Sequence, residues 1–225
     1  MNLLEVRDVG IAFGDRTLYQ HLSFDLKAGT TLALLGPNGV GKTSLIRALL
    51  GKISTTGGKI TWPQGTPRIA YVPQLRSDGP GGALSIAEFV GLSFDQGLRP
   101  WLTRSEKQQV AAVLARCNLT HLARQRMSDA SGGEQQRAYL AQALIRQPEL
   151  LILDESTANM DVDAKEVIMR TVADEQQRRG TTVIMVTHDL PLAGEFADAA
   201  LTLSRGSDRA AYSADVPDAI GGVAS

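Results

Sequence analysis

Apolar positions alternate in short runs over the first part of the chain and recur at helical spacing further on. Leu3-Leu4-Glu5-Val6, Ile11-Ala12-Phe13 and Leu22-Ser23-Phe24-Asp25-Leu26 read as short strands, punctuated by Gly10, the Gly14-Asp15 pair and Ala28-Gly29. Their close spacing predicts an antiparallel piece. Thr31 to Leu35 is a compact apolar run, the mark of a buried strand, and it enters a glycine-rich loop. Behind that loop Leu45, Ile46, Leu49 and Leu50 recur at helical spacing, with Gly51 as the stop. Gly58 to Trp62 and Arg68 to Val72 predict two further strands around the turn at Pro63–Pro67.

The middle of the chain changes character. Gly79-Pro80-Gly81-Gly82 and Arg99-Pro100 signal loops around one short helix near Ile86–Leu92. Thr103 followed by Glu106 is a capping-box pattern, and Val110, Val113, Leu114 and Cys117 then form a stripe on one helix face. That stripe makes Cys117 a core thiol, as free cysteines commonly are. Ser131 and Glu134 repeat the capping box, opening a helix to about Arg146, before Pro148. Leu150–Leu153, Val162–Arg179 and Thr182–Val186 then alternate strand, helix, strand, which implies βαβ units and a parallel sheet. Residues 205–225 turn small and polar and read as a weakly ordered tail.

Composition narrows the class. The 225 residues suffice for one domain with a sizeable core. Lys plus Arg (23) nearly cancels Asp plus Glu (24), so no basic excess points to nucleic acid or an anionic membrane face as the main partner. The single cysteine excludes an intrachain disulfide framework. The longest apolar runs fall far short of the ~20 residues of a membrane-spanning helix, and Met1–Val9 lacks the apolar stretch of a signal peptide. A soluble intracellular domain is expected.

The chemistry begins with Gly36-Pro37-Asn38-Gly39-Val40-Gly41-Lys42-Thr43, which matches the phosphate-loop pattern between a predicted strand and a predicted helix. Successive backbone N–H groups at the positive end of a helix bind phosphate oxygens without desolvating many side chains. Lys42 would reach the β- and γ-phosphates and the Thr43 hydroxyl would bind Mg²⁺, with Ser44 opening the helix proper. Leu150-Leu151-Ile152-Leu153 ends in Asp154 and Glu155. A buried strand delivers Asp154 to the sheet's carboxyl edge, where Mg²⁺ needs a carboxylate. Glu155, facing the other way, could polarise a water for in-line attack on the γ-phosphate. His21 and His121 have no such context and read as surface or packing residues.

Ser131-Gly132-Gly133-Glu134-Gln135-Gln136-Arg137, just upstream of the Asp154 strand, resembles the signature motif of ATP-binding-cassette (ABC) ATPases. Tyr71-Val72-Pro73-Gln74 is similar to their glutamine loop, Ala158-Asn159-Met160-Asp161 stands at the D-loop position, and Thr187-His188-Asp189 matches the switch histidine. Phe13 sits where the family places an aromatic that stacks on adenine. The resemblance spans about residues 2–205, with the motifs in family order. Ala130 stands for the usual leucine of the signature, Glu134 for its glutamine, and Ser156 for the proline after the catalytic acid.

The resemblance implies an α/β fold: a P-loop, RecA-like core with a mostly parallel sheet, an N-terminal antiparallel β subdomain and an inserted α-helical subdomain. Residues 1–75 and 138–205 would form the ATP-binding core, 76–137 the helical subdomain and 206–225 the tail. It implies ATP and Mg²⁺ as cofactors. Glu155, His188 and Gln74 are the catalytic candidates. Phe13, Gly36 to Ser44, Ser131, Gly132, Gly133, Glu134 and Asp161 are the nucleotide-contacting ones, and Thr43, Gln74 and Asp154 those for the metal. Two copies would meet head to tail, Ser131 and Gly133 of one contacting the γ-phosphate held by the other. The partners implied are a second ABC ATPase subunit, an integral membrane permease and an extracytoplasmic substrate-binding protein, on the cytoplasmic face of the inner membrane.

The stretches Gly57–Trp62 and Arg68–Gln74 look most like the zinc/manganese/iron uptake branch. Three scattered histidines and one cysteine offer no ligand cluster for the transported metal itself. The competing expectation is a soluble ABC ATPase that moves nothing across a membrane, such as an iron–sulfur cluster assembly ATPase.

Overall fold

Strands β1 (Asn2–Phe13) and β2 (Arg16–Lys27) pair antiparallel, with Leu4 opposite Leu26 and Val6 opposite Phe24. Their alternation sends Leu4, Val6, Val9 and Ile11 into one core with Tyr19, Leu22, Phe24 and Leu26. The sequence suggests three short strands here, whereas the chain forms two long ones. Register shifts between Val6 and Val9 and between Val9 and Ile11 absorb the apparent breaks as bulges. Strand β4 (Gly57–Thr61) completes this sheet on the free side of β1.

The computed structural model describes residues 1–14, 16–74, 83–94, 101–154, 162–204 and 210–213. They fall into two compact units, residues 1–67 with 179–225, and residues 68–178. Besides the antiparallel sheet, the first unit holds β3 (Thr31–Leu35) between β7 (Thr182–Val186) and β8 (Ala199–Leu203), parallel to both. Every residue of β3 and β7 is buried, which is why both read as continuous apolar runs instead of alternating ones. Helix α1 (Lys42–Leu49) follows β3, and Gly51 ends it at φ 66° as expected. Helix α6 (Leu190–Phe196) is capped by Asp189, whose Oδ1 accepts from the Leu192 N–H at 3.1 Å.

One expectation is corrected here. The C-terminal stretch read as a tail contains β9 (Ala210–Ser213), antiparallel to β8 with Leu203 opposite Ala210. Edge pairing rests on backbone hydrogen bonds, so a four-residue strand in a stretch of mixed side chains does not announce itself.

The second unit contains β5 (Ile69–Val72) and β6 (Leu150–Asp154), a parallel pair, with α2 (Ile86–Gly91), α3 (Arg104–Arg116), α4 (Gly132–Leu144) and α5 (Val162–Arg179). Both expected capping boxes are present, Thr103 with Glu106 and Ser131 with Glu134. A third, Ser85 with Glu88, opens α2, and the Ser85 hydroxyl and N–H hold the Glu88 carboxyl below its usual value. Phe89 and Tyr139 meet edge to face at 4.9 Å, joining α2 to α4. Arg116 of α3 pairs with the buried Glu175 of α5 at 2.5 Å.

Cys117 is fully buried beside Val113 and Leu114, and desolvation pushes its thiol up from 9.0 to about 12. The thiolate fraction falls tenfold per pKa unit and the greater nucleophilicity of the more basic thiolate offsets about half of that, so labelling by a disulfide reagent at pH 8 should run at least about 30-fold slower than for an ordinary thiol. The folded thiol keeps its proton where the unfolded one loses it. Its contribution to stability is therefore complete below about pH 9 and should fall by about 1.4 kcal/mol per pH unit above it. Labelling at the unfolded rate in native buffer would show the thiol to be accessible. Among the described residues, no helix is long and apolar enough to cross a membrane.

Candidate functional site

The chain leaves β3 at Leu35 and turns through Gly36–Gly41 into α1. Two glycines are needed for that turn. Gly36 has φ 139°, and a Cβ there would lie 2.4 Å from the Leu203 carbonyl. Gly41 has φ 110°, and its Cβ would lie 2.5 Å from Oη of Tyr19. Tyr19, 2% exposed, reaches up from β2 and donates from Oη to the Val40 carbonyl at 2.6 Å. Burial raises its phenol above the usual value. Lys42 is buried, with Nζ donating to the carbonyls of Gly36 (2.7 Å) and Pro37 (3.2 Å), so its ammonium closes the loop on itself. No side chain caps α1 and no acid occupies its first turn, which leaves a helix N-terminus suited to an anion. Thr43 is exposed and Ser44 half-buried at this mouth.

His188 follows β7 and is exposed. Strands β7 and β3 are adjacent, with Val186 opposite Leu34, and the Thr187 N–H donates to the Leu34 carbonyl at 3.3 Å. The phosphate loop and His188 therefore leave the same carboxyl edge from neighbouring strands. Phe13 ends β1 with 49% of its surface exposed, an open ring face.

In the second unit, Gln74 and Asp154 are brought together in the same way. They follow β5 and end β6, with Val72 opposite Leu153. Gln74 is exposed, whereas Asp154 is 8% exposed and accepts at Oδ2 from the Tyr71 hydroxyl at 2.6 Å. Gln136, fully buried on α4, donates from Nε2 to the Pro73 carbonyl at 3.1 Å, next to Gln74. Its Oε1 has no hydrogen-bond partner among the described residues. Ser131 caps the same helix: its N–H donates to Glu134 Oε2 at 2.7 Å, and its Oγ accepts from the Glu134 N–H at 3.4 Å. The Glu134 carboxylate is thus engaged in the cap. Gln135 Nε2 bridges the carbonyls of Met127 and Ala130, both at 3.0 Å, and fixes the approach to Gly132 and Gly133.

Glu155, Ser156 and the Ala158–Asp161 D-loop lie outside the described residues. Tyr19, Tyr71 and Gln136 were not among the expected site residues. Tyr71 and Gln136 stand inside flagged motifs, but Tyr19 carries no local signal, because only the packing of β2 under the loop brings it there. Asp154, Thr43 and Gln74 each carry an oxygen donor of the hard kind that suits Mg²⁺. Among the described residues no three His, Cys, Asp or Glu side chains gather to hold an ion.

Residues 19–158 match the ABC transporter family model. The chain belongs to the ABC transporter family. The zinc import ATP-binding protein ZnuC of Photorhabdus laumondii is 36% identical over 203 residues, covering 90% of this chain and 75% of that protein. ZnuC of Yersinia enterocolitica is also 36% identical over 203 residues, covering 90% and 77%. Among solved structures, one described as a metal-chelate type ABC transporter in an inward-facing conformation has a TM-score of 0.84 at 28% identity, over 97% of this chain and 85% of that one. The ABC fold is met again in cbiO1 from Clostridium perfringens, at a TM-score of 0.83 and 23% identity, over 98% of this chain and 91% of that one.

This ABC protein is an ATPase subunit, its hydrolysis of ATP coupled to transport. The expected P-loop fold with an N-terminal antiparallel sheet is the one observed. A soluble assembly ATPase is not favoured beside relatives of this kind.

Proposed function

We propose that this ABC ATPase powers uptake of a divalent metal, in the zinc, manganese and iron class, through a separate membrane permease. The observation that carries the reading is the 36% identity to zinc import ATP-binding proteins over 90% of the chain. The chain contacts the permease at the cytoplasmic face of the membrane, with an extracytoplasmic binding protein delivering the metal. Residues 76–137 form the helical subdomain that faces it. Trp101, 70% exposed, and Leu92, 45% exposed, support this reading. So does an open apolar groove of about 330 Å³ lined by Ala87, Leu102, Val110, Ala111, Leu114 and Ala123.

Each site residue then has a role. Phe13 stacks on adenine, and Gly36 to Ser44 bind the phosphates through backbone N–H groups and Lys42. Thr43, Gln74 and Asp154 hold Mg²⁺, which neutralises charge on the phosphate oxygens when bound. Glu155 takes the proton of the attacking water, and His188 donates a hydrogen bond to the γ-phosphate. Ser131, Gly132, Gly133, Glu134 and Asp161 act across a head-to-tail dimer, completing the partner copy's site. Two ATPs close the dimer, and hydrolysis resets it.

Glu155→Gln removes the base and keeps the shape, so with ATP it should run as a dimer on size-exclusion chromatography while turnover falls by about 100-fold or more. Wild-type turnover in that variant would exclude Glu155 as the base. The same variant, tagged and drawn with ATP from detergent-solubilised membranes of its host, should bring down a multispan permease in stoichiometric yield. A soluble scaffold in its place would overturn the transport reading in favour of an assembly ATPase.

A further inference from the structure

We infer that Tyr19 is a positioning residue for the phosphate loop, acting through the Val40–Gly41 peptide. The inference rests on the phosphate-loop assignment proposed above and adds a residue that lies outside every motif. Tyr19 is 2% exposed, so its side chain is walled off from anything bound at the mouth of the loop. Its hydroxyl donates to the Val40 carbonyl at 2.6 Å. A buried hydroxyl is tolerated only when hydrogen-bonded, and an apolar side chain would be the less demanding filler of this core. The polar group must therefore do something that packing alone does not.

Peptide geometry says what it does. The peptide is planar and trans, so its carbonyl and its N–H point in opposite directions. With the Val40 carbonyl turned down onto Tyr19, the Gly41 N–H is turned up, away from the core and toward the anion-binding face of the loop. Gly41 is also the N-cap of α1, at φ 110°, a conformation open to glycine. Glycine's freedom cuts both ways here, because a residue without Cβ can rotate its flanking peptides as easily as hold them. A Cβ at Gly41 would lie 2.5 Å from Oη, so its absence is what lets the hydroxyl reach the backbone. The hydroxyl and the glycine are thus complementary: one opens the path and the other locks the peptide. On the far side, Lys42 Nζ holds the Gly36 and Pro37 carbonyls, so both ends of the turn are fixed before a ligand arrives. A preformed donor array avoids the ordering cost that a mobile glycine loop would meet on binding.

Tyr19→Phe deletes only the hydroxyl. The test is binding of ADP and of AMP to the purified full chain without Mg²⁺, together with hydrogen exchange of the unliganded protein. ADP reaches the loop with its β-phosphate and AMP does not, so the ratio of the two affinities reads the donor array. The ADP affinity should fall about tenfold, the equivalent of one buried hydrogen bond, with AMP changed by less than twofold. Exchange should quicken in peptides spanning residues 36–45 and stay as in wild type over β3 and β7. An unchanged ADP to AMP ratio in a variant that melts like wild type would overturn the inference. Equal losses for both nucleotides, with faster exchange throughout the sheet, would also overturn it and leave Tyr19 a packing residue. Failure of the wild-type chain to bind ADP would instead overturn the phosphate-loop assignment on which the inference stands.

Discussion

Lys42→Ala should lower ATP affinity by about 100- to 1,000-fold. The ammonium sits at the first position of α1, 6% exposed, and donates to the carbonyls of Gly36 and Pro37 at 2.7 and 3.2 Å. It is held over the centre of the loop where the β- and γ-phosphates would lie. Hydrogen bonds to charged groups contribute about 1.5–3 kcal/mol each, and two of them near the lower end, about 3–4 kcal/mol together, give the range stated. The helix N-terminus and the loop N–H groups remain, so binding weakens without vanishing. Removing a buried cation also relieves its desolvation, which limits any fall in the melting temperature. Titration with a fluorescent ATP analogue measures the change, and an affinity equal to wild type would refute the loop's assignment.

Asp154→Asn is the second large effect. The carboxylate closes a strand whose five residues are all buried, and the Tyr71 hydroxyl fixes one of its oxygens at 2.6 Å. Asparagine keeps the size and can still accept from Tyr71 through its carbonyl oxygen, so the fold should survive. What is lost is the negative charge that would face Mg²⁺ in the proposed site, where burial leaves charge poorly screened. Turnover should fall by about 100-fold or more, and the Mg²⁺ concentration for half-maximal turnover should rise about tenfold. ATP binding in the presence of a chelator should stay within about twofold of wild type, which separates the metal's part from the nucleotide's. An unchanged Mg²⁺ dependence would remove Asp154 from the metal's partners.

Much of this architecture was legible before any coordinates. A five-residue apolar run such as β3 must be buried on both faces, and one ending in Asp154 must surface at its carboxyl end, so strand positions and the site's edge follow from hydropathy alone. The capping boxes at Thr103 and Ser131 were equally plain, because the hydrogen bonds concerned span three residues of local chain. The stripe that buries Cys117 is local too. The N-terminal strands were divided wrongly because a bulge and a turn share the same punctuating residues, and only the partner strand decides between them. Strand β9 was missed because its pairing uses backbone groups that every residue carries.

The sequence by itself determined the strand–loop–helix frame of the phosphate loop, the alternation of β6, α5 and β7, the capping boxes at Thr103 and Ser131 and which side chains could carry phosphate chemistry, since each depends on residues close together along the chain. Tertiary structure alone decided which atoms hold those groups in place. Tyr19 lies 21 residues from Val40, Gln136 lies 63 from Pro73 and Tyr71 lies 83 from Asp154. No local periodicity encodes contacts over such separations. They arise when strands and helices bury their apolar faces together, and the polar groups carried along must then find partners.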